Sequence, residues 1–167
     1  MTTRVLIPTG ALGLGYDRAA LERGIANRPD IIAVDGGSTD SGPSYLGRGV
    51  SKYARASTKT EWRELMRARA QAGVPLVIGT AGTCGADAAV DWLLDITREI
   101  AAEDGMDLRV ATLRSGQQAA TVKSALAAGR IRALPAAPEI SAELLDSCTN
   151  IVALAGAEQI AAALATG

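Results

Sequence analysis

The sequence predicts an α/β fold in which a parallel β-sheet is flanked by helices on both faces, a three-layer Rossmann-like arrangement. Three observations predict it. Short aliphatic runs alternate with segments of helical periodicity along the chain, which is the element order of a parallel sheet wrapped by helices. The runs are continuous rather than alternating, as in strands covered on both faces. Glycine-rich loops follow several runs, so the functional site is expected at the carboxyl ends of the strands.

Five aliphatic runs are predicted as strands. Pro8 closes the first run, and the break at Pro29 precedes the second. Their β-branched and leucine content, bounded by glycine and proline, is typical of strands. The last run also suits a buried helical segment. The predicted strands are residues 4–8, 31–34, 76–78, 108–113 and 151–154.

Six helices are predicted from apolar residues spaced three and four apart. Asp17 and Asp87 are predicted as N-caps, and Gly73, Gly105 and Gly129 follow helix ends. The predicted helices cover residues 17–28, 57–72, 87–103, 117–128, 141–146 and 158–165. A solvated face is predicted on the second of them, from Arg63, Glu64, Arg67 and Arg69.

Composition places the chain in one class of protein and excludes several others. The 167 residues suit a single domain spanning 1–167. A net charge of -1 gives no basic face for nucleic acid. No apolar run reaches the roughly 18 residues that cross a bilayer, and the start lacks the pattern of a signal peptide. We therefore expect a cytoplasmic protein that binds neither nucleic acid nor membrane.

The chain contains no histidine, which excludes a histidine base and a Ser-His-Asp triad. Cys84 and Cys148 form neither a CxxC motif nor a disulfide framework, and they are too few for a zinc site. We predict Cys84 as a small half-buried side chain and Cys148 as a core residue. No cofactor is predicted, although carboxylates could hold a divalent cation such as Mg²⁺.

The loop after the second predicted strand is the densest group of functional side chains. Residues 35–43 read DGGSTDSGP, with two carboxylates, three hydroxyls and three glycines. Its N–H groups could cradle an anion, and its carboxylates could hold a cation or divide acid and base roles. The alternative is a tight connection stabilised by Asx turns. The catalytic candidates are Asp35, Ser38 and Asp40, and the substrate-binding candidates are Gly36, Gly37, Thr39 and Ser41.

Two further loops could bind an anion. Residues 79–85, GTAGTCG, link a strand to a helix N-terminus, which is a natural anion site or a simple turn and cap. Residues 9–15, TGALGLG, only partly match a dinucleotide fingerprint, with Asp35 as its acidic residue. Lys52, Tyr53 and Arg55 could contact a carboxylate or phosphate, or form a solvated basic patch. The substrate-binding candidates in the two loops are Gly10, Gly79, Thr80, Gly82 and Thr83.

Three stretches of the sequence resemble the acyclic terpene utilisation family, the AtuA-like proteins. They are IPTGALGLGY at 7–16, DIIAVDGGSTDSGPSYLGRG at 30–49 and PLVIGTAGTCGADAAVDWLLDITREIA at 75–101. The resemblance covers most of the chain and weakens after about residue 135. Family members are longer, so it implies the N-terminal part of a family domain, as a fragment or as one piece of a split protein. It also implies catabolism of branched acyclic terpenoids through carboxylic-acid or acyl-CoA intermediates.

We therefore expect a catabolic enzyme with lyase or hydratase chemistry on a small carboxylate or an acyl-CoA. Asp35 or Asp40 would act as general acid or base, because no histidine can. The alternative is a non-catalytic or incomplete subunit that binds a ligand and needs another chain to complete its active site. The expected partners are the small molecule and other protein chains, in a homo-oligomer or a complex with a second subunit.

Overall fold

The structure, a computed structural model that describes residues 2–37 and 42–166, is a mixed α/β fold with a small parallel sheet. The sheet has three strands, β1 (Val5–Leu6), β2 (Ile31–Asp35) and β3 (Leu76–Gly79), in that spatial order. Val5 aligns with Ile31, and Ala33 aligns with Val77. The first three of the five predicted strands exist, and they are parallel as expected.

The described residues form seven α-helices. Six agree with prediction to within two residues at both ends. The remaining helix, α2 (Gly42–Arg48), lies in a segment predicted as loop. Pro43 lies in its first turn, where a backbone N–H has no partner within the helix, so the N–H that proline lacks costs no hydrogen bond. None of the helices in 2–37 and 42–166 is long and apolar enough to cross a bilayer. The helices are α1 (Arg18–Ala26), α2 (Gly42–Arg48), α3 (Arg55–Ala72), α4 (Asp87–Asp104), α5 (Ala119–Ala127), α6 (Ala142–Ser147) and α7 (Ala157–Ala165).

The main core lies between one face of the sheet and helices α1, α3 and α4. Right-handed crossovers in the order β1-β2-β3 step in one direction and therefore place α1 and α3 on the same face. The sheet contributes Leu6, Ile32, Val34, Leu76 and Ile78. The helices contribute Leu21, Trp62, Leu65, Met66, Leu93, Ile96 and Ile100. The core is aliphatic apart from tryptophan and tyrosine, because the chain has no phenylalanine.

The predictions of a fourth and a fifth strand are wrong. Residues 108–113 form no ladder with β3, and residues 151–154 contribute one antiparallel bridge, between Gly116 and Val152. The Gln117 N–H donates to the Ile151 carbonyl oxygen (2.7 Å) and the Ala153 N–H to the Ser115 carbonyl oxygen (2.9 Å). The two segments therefore bond to each other instead of extending the sheet.

The prediction that Cys148 is a core residue is also wrong, because Cys148 is exposed.

Helices α3 and α4 are joined by ion pairs. The prediction of a solvated face is wrong for Arg63, whose side chain is 23% exposed, whereas Arg67 forms an ion pair and stays 58% exposed. Arg63 and Arg67 both bind Asp104, at 2.7 and 2.8 Å. Arg55 binds Glu99 at 2.6 Å, and Lys59 contacts both Glu99 and Glu103. These basic residues follow a spacing of four along α3 and lie on one side of the helix.

We expect acid to weaken this helix pair. Hydrogen bonds from Lys59 and Arg55 lower the pKa of Glu99 from 4.5 to about 2, and ion pairs also lower the pKa of Asp104. A carboxylate with a lowered pKa in the folded state stabilises above its unfolded pKa, and this contribution is lost as pH falls. Denaturant melts should therefore show stability falling from pH 4.5 towards pH 2. The fall should be smaller in Glu99→Gln, and an equal fall in both proteins would contradict the assignment.

Candidate functional site

The loops that follow the three strands meet at the carboxyl edge of the sheet. The Leu12 N–H, in the loop after β1, donates to the Asp35 carbonyl oxygen (2.8 Å). The Gly36 N–H donates to the Gly79 carbonyl oxygen (2.6 Å), and the Thr83 N–H donates to the Gly36 carbonyl oxygen (3.1 Å). The structure therefore brings Asp35, Gly36 and Gly37 together with the 79–83 loop. The candidates Ser38, Thr39, Asp40 and Ser41 lie outside the described residues.

Gly36 and Gly37 are packed against the loop after β3 so closely that no side chain fits. A Cβ on Gly36 would lie 2.5 Å from the Thr80 carbonyl oxygen, and one on Gly37 would lie 2.2 Å from the Thr83 Cα. Both clashes are with backbone atoms, which cannot rotate away. The glycines predicted to approach a ligand thus approach the neighbouring loop.

Asp35 is the predicted catalytic carboxylate that lies among the described residues at this edge. It ends β2 and is half-buried. Its Oδ1 accepts a hydrogen bond from the Gly37 N–H at 3.0 Å, an Asx-type bond that fixes the start of the loop. This bond is expected if residues 35–43 form a tight connection stabilised by Asx turns, the alternative to a ligand site. It also holds a carboxylate at the mouth of the site in one orientation.

The loop after β3 carries two non-glycine residues in the left-handed region. Thr80 has φ 52° and Thr83 has φ 80°, with Gly82 between them at 62°. For a β-branched residue a positive φ is a genuine outlier. Such strain costs about 1–3 kcal/mol per residue and clusters at functional sites. Thr83 is fully buried, and its Oγ1 accepts a hydrogen bond from the Lys52 N–H at 3.3 Å.

Replacing Thr80 with glycine should remove part of this strain. Thr80 is exposed and its side chain makes no hydrogen bond with the described residues, so little packing is lost. The relief, less the entropic cost of glycine, gives an expected stabilisation of about 1 kcal/mol. Urea unfolding measures it. Thr60→Gly at an exposed position of α3, where φ is helical, should instead destabilise by about 0.3 kcal/mol. A destabilised Thr80→Gly would show that the backbone is not strained there.

Asp87 does not cap α4, contrary to prediction. The N-cap residue is Ala86, which supplies no side-chain hydrogen bond, and Asp87 is the first helical residue. The Asp87 Oδ1 instead accepts a hydrogen bond from the Gly116 N–H at 3.1 Å, which ties the C-terminal segment to this helix. In the described part of the chain, no side chain therefore caps the first turn of α4, where the Ala89 N–H donates to the Ala86 carbonyl oxygen (2.8 Å).

The loop after β1 already holds a carboxylate, which belongs to the protein itself. The Gly13 and Gly15 N–H groups donate to Glu61 of α3, at 2.6 Å to Oε2 and 2.9 Å to Oε1. Both glycines have positive φ. The predicted anion-binding character of this loop is thus used within the fold, and a dinucleotide phosphate would meet the Glu61 charge. Gly10 has no neighbour that a Cβ would touch.

Glu61 is a residue that sequence reasoning missed. The glycine spacing indicated N–H donors but not their acceptor, because the acceptor lies 46–48 residues away in sequence. Nearby, the Tyr16 hydroxyl donates to Glu64 (2.9 Å), and burial with the Glu64 carboxylate raises the pKa of Tyr16. Gly15, Tyr16, Glu61 and Glu64 line a cleft of about 380 Å³.

A second cleft, of about 320 Å³, lies beside the first turn of α4. Val50, Ser51, Tyr53, Arg55, Ala88 and Trp92 are among its lining residues. The Tyr53 ring lies against Gly13, and its buried hydroxyl oxygen has no hydrogen-bond partner among the described residues. Arg55 is held by Glu99. The Lys52 N–H bond to Thr83 joins this cleft to the strained loop.

Comparisons with protein-family models, with curated proteins and with solved structures find no match to this chain. Within the described ranges, no three Cys, Asp or Glu side chains are grouped so that they could hold a metal ion. The assignment of function therefore depends on the geometry of the site.

Proposed function

We propose that the protein is a catabolic enzyme with lyase or hydratase chemistry on a small carboxylate or an acyl-CoA thioester. The observation that carries the proposal is the pair of left-handed threonines, Thr80 and Thr83, in the loop that contacts Gly36 and Gly37. Strain of this kind persists where the surrounding structure enforces it, and it is enriched at active sites. Its position at the carboxyl edge of a parallel sheet supports the proposal.

The roles we assign follow from the chemistry of the residues at this edge. Asp35 acts as general acid or base, alone or with Asp40, since no histidine is available. The uncapped N–H groups at the start of α4, with the helix dipole, face an anionic group of the substrate. The adjoining cleft of about 320 Å³ has room for a small acyl chain. Ser38 is proposed as a further catalytic residue, and Thr39 and Ser41 are proposed as substrate-binding residues. A divalent cation such as Mg²⁺ stays an alternative.

Two unsaturated probes test the proposal, crotonyl-CoA for the thioester class and fumarate for the carboxylates. Adding water across either double bond lowers its ultraviolet absorbance. The wild-type protein should turn over one probe, and Asp35→Asn or Asp40→Asn should lower kcat by about 100-fold or more. Asp107→Asn is the matched control, because Asp107 follows the C-terminal end of α4, away from the site. Turnover within a few-fold of wild type in both Asp35→Asn and Asp40→Asn would overturn the proposal.

The second candidate is an incomplete subunit that binds a ligand and needs a partner chain. Glu61 favours it, because this carboxylate occupies the N–H groups of one of the three loops. Fewer backbone donors are then left in this chain to bind a substrate, and a partner chain would have to supply the rest. If the wild-type chain turns over neither probe alone, the subunit hypothesis replaces the first proposal.

We propose that the chain is a member of the AtuA-like family, which the motifs at 7–16, 30–49 and 75–101 support. We also propose that the sheet has helices on both faces, in a three-layer Rossmann-like arrangement. The continuous aliphatic sequence of β2 supports it, since such strands are typical of sheets covered on both sides.

A further inference from the structure

One face of the sheet is apolar apart from Asp35 at the carboxyl end of β2, and it carries none of the main core residues. Successive strand residues point to opposite faces, so Val5, Ile31, Ala33 and Val77 lie opposite the core residues Ile32 and Val34. Val5 is 54% exposed and Ile7, which continues β1, is 67% exposed. Ile31, Ala33 and Val77 are half-buried. We call this set, with Ile7, the second face.

Helix α7 is apolar and has no buried residue. Seven of its nine residues are alanine, isoleucine or leucine. Ile160 and Leu164 lie one turn apart on the same side of the helix, and Leu164 is 40% exposed. An apolar helix of this kind is stable in water only when a surface covers it.

The area that this chain exposes beyond a compact monomer of its mass is as large as the area that one copy buries in a large dimer. The chain exposes 10162 Å² of accessible surface. A compact monomer of 17.1 kDa exposes about 7,750 Å², so this chain exposes about 2,400 Å² more. Obligate dimers bury about 1,000–2,500 Å² on each copy. A net charge of -1 gives little repulsion between copies.

We propose that two copies of this chain form a dimer in which α7 of each copy packs on the second face of the other. The sheet then has helices on both faces, its own on one side and the partner's α7 on the other. The contact is reciprocal, as in two-fold dimers. The inference goes beyond the proposed function and rests on its three-layer arrangement, not on its chemistry.

Light scattering coupled to size exclusion, over a range of protein concentrations, tests the dimer. The wild-type chain should be a dimer, and Ile7→Lys or Leu164→Lys should each raise the dissociation constant by about 100-fold or more. Leu134→Lys is the matched control, at a residue 77% exposed outside both surfaces. Circular dichroism confirms that the variants fold, which is expected because the replaced side chains are already exposed in one copy.

A mixing experiment tests the pairing of surfaces. When Ile7→Lys and Leu164→Lys chains are mixed, one of the two contacts is intact, so dimer should reappear. A monomeric wild-type chain would overturn the proposal, as would a dimer unaffected by Ile7→Lys, or a mixture that stays monomeric. The readout is mass, so a monomer that turns over a probe would overturn the dimer and leave the proposed function standing.

Discussion

Gly37→Ala is expected to destabilise the fold by about 3 kcal/mol or more. The added Cβ would lie 2.2 Å from the Thr83 Cα and 2.6 Å from its Cβ, far inside van der Waals contact. Thr83 cannot move aside, because it is fully buried and its N–H is bonded to Gly36. Overpacking usually costs about 1–3 kcal/mol, and more where backbone must shift. Urea unfolding followed by circular dichroism measures the loss.

Gly79→Ala provides the matched control for this clash. Gly79 lies at the end of β3, beside the same loop, but a Cβ there meets nothing within 4 Å and its φ is not left-handed. We expect the free energy of unfolding to rise by at most about 0.5 kcal/mol, because alanine loses less backbone entropy than glycine on folding. Equal stabilities for Gly37→Ala and Gly79→Ala would show that the β2 and β3 loops are not in contact as described.

The sequence was sufficient to predict the first three strands and every described helix except α2, because aliphatic runs and helical periodicities are local signals. Residues 108–113 show where such signals fail. Their composition suits a strand, but pairing with β3 depends on where the chain is held after α4, and the Gly116 N–H bond to Asp87 and the bonds between 115–117 and 151–153 direct it elsewhere. Pairing between distant segments is set by contacts that no local pattern contains.

At the candidate site, Gly37 and Glu61 also show that contacts between distant segments could not be predicted from the sequence. A glycine-rich loop at the end of a buried strand indicates close approach of something to the backbone, and that much could be read from residues 35–43. Whether the approaching group is a ligand or another loop is decided by tertiary packing, and at Gly37 it is Thr83. Likewise the glycines of the first loop indicated N–H donors, but their acceptor stands on a helix far along the chain.

Glu61→Ala should open the first loop to external carboxylates. Without Glu61 the Gly13 and Gly15 N–H groups lose the acceptor that now holds them at 2.6 and 2.9 Å. Hydrogen bonds to a charged group contribute about 1.5–3 kcal/mol each. Since water reaches the exposed Gly15, we expect a net loss of about 2–3 kcal/mol, measured by thermal unfolding.

Acetate should then restore part of the stability of Glu61→Ala, because a ligand that binds only the folded state raises the melting temperature with its concentration. The matched control is Glu64→Ala, one turn along the helix from Glu61. Its carboxylate binds Arg18 and the Tyr16 hydroxyl but no loop N–H group, so acetate should act on it no more than on wild type. Chloride at equal ionic strength separates carboxylate binding from salt screening. If acetate stabilises Glu61→Ala no more than Glu64→Ala, the two N–H groups do not form a carboxylate site when vacant, and the glycines of this loop serve only to anchor α3.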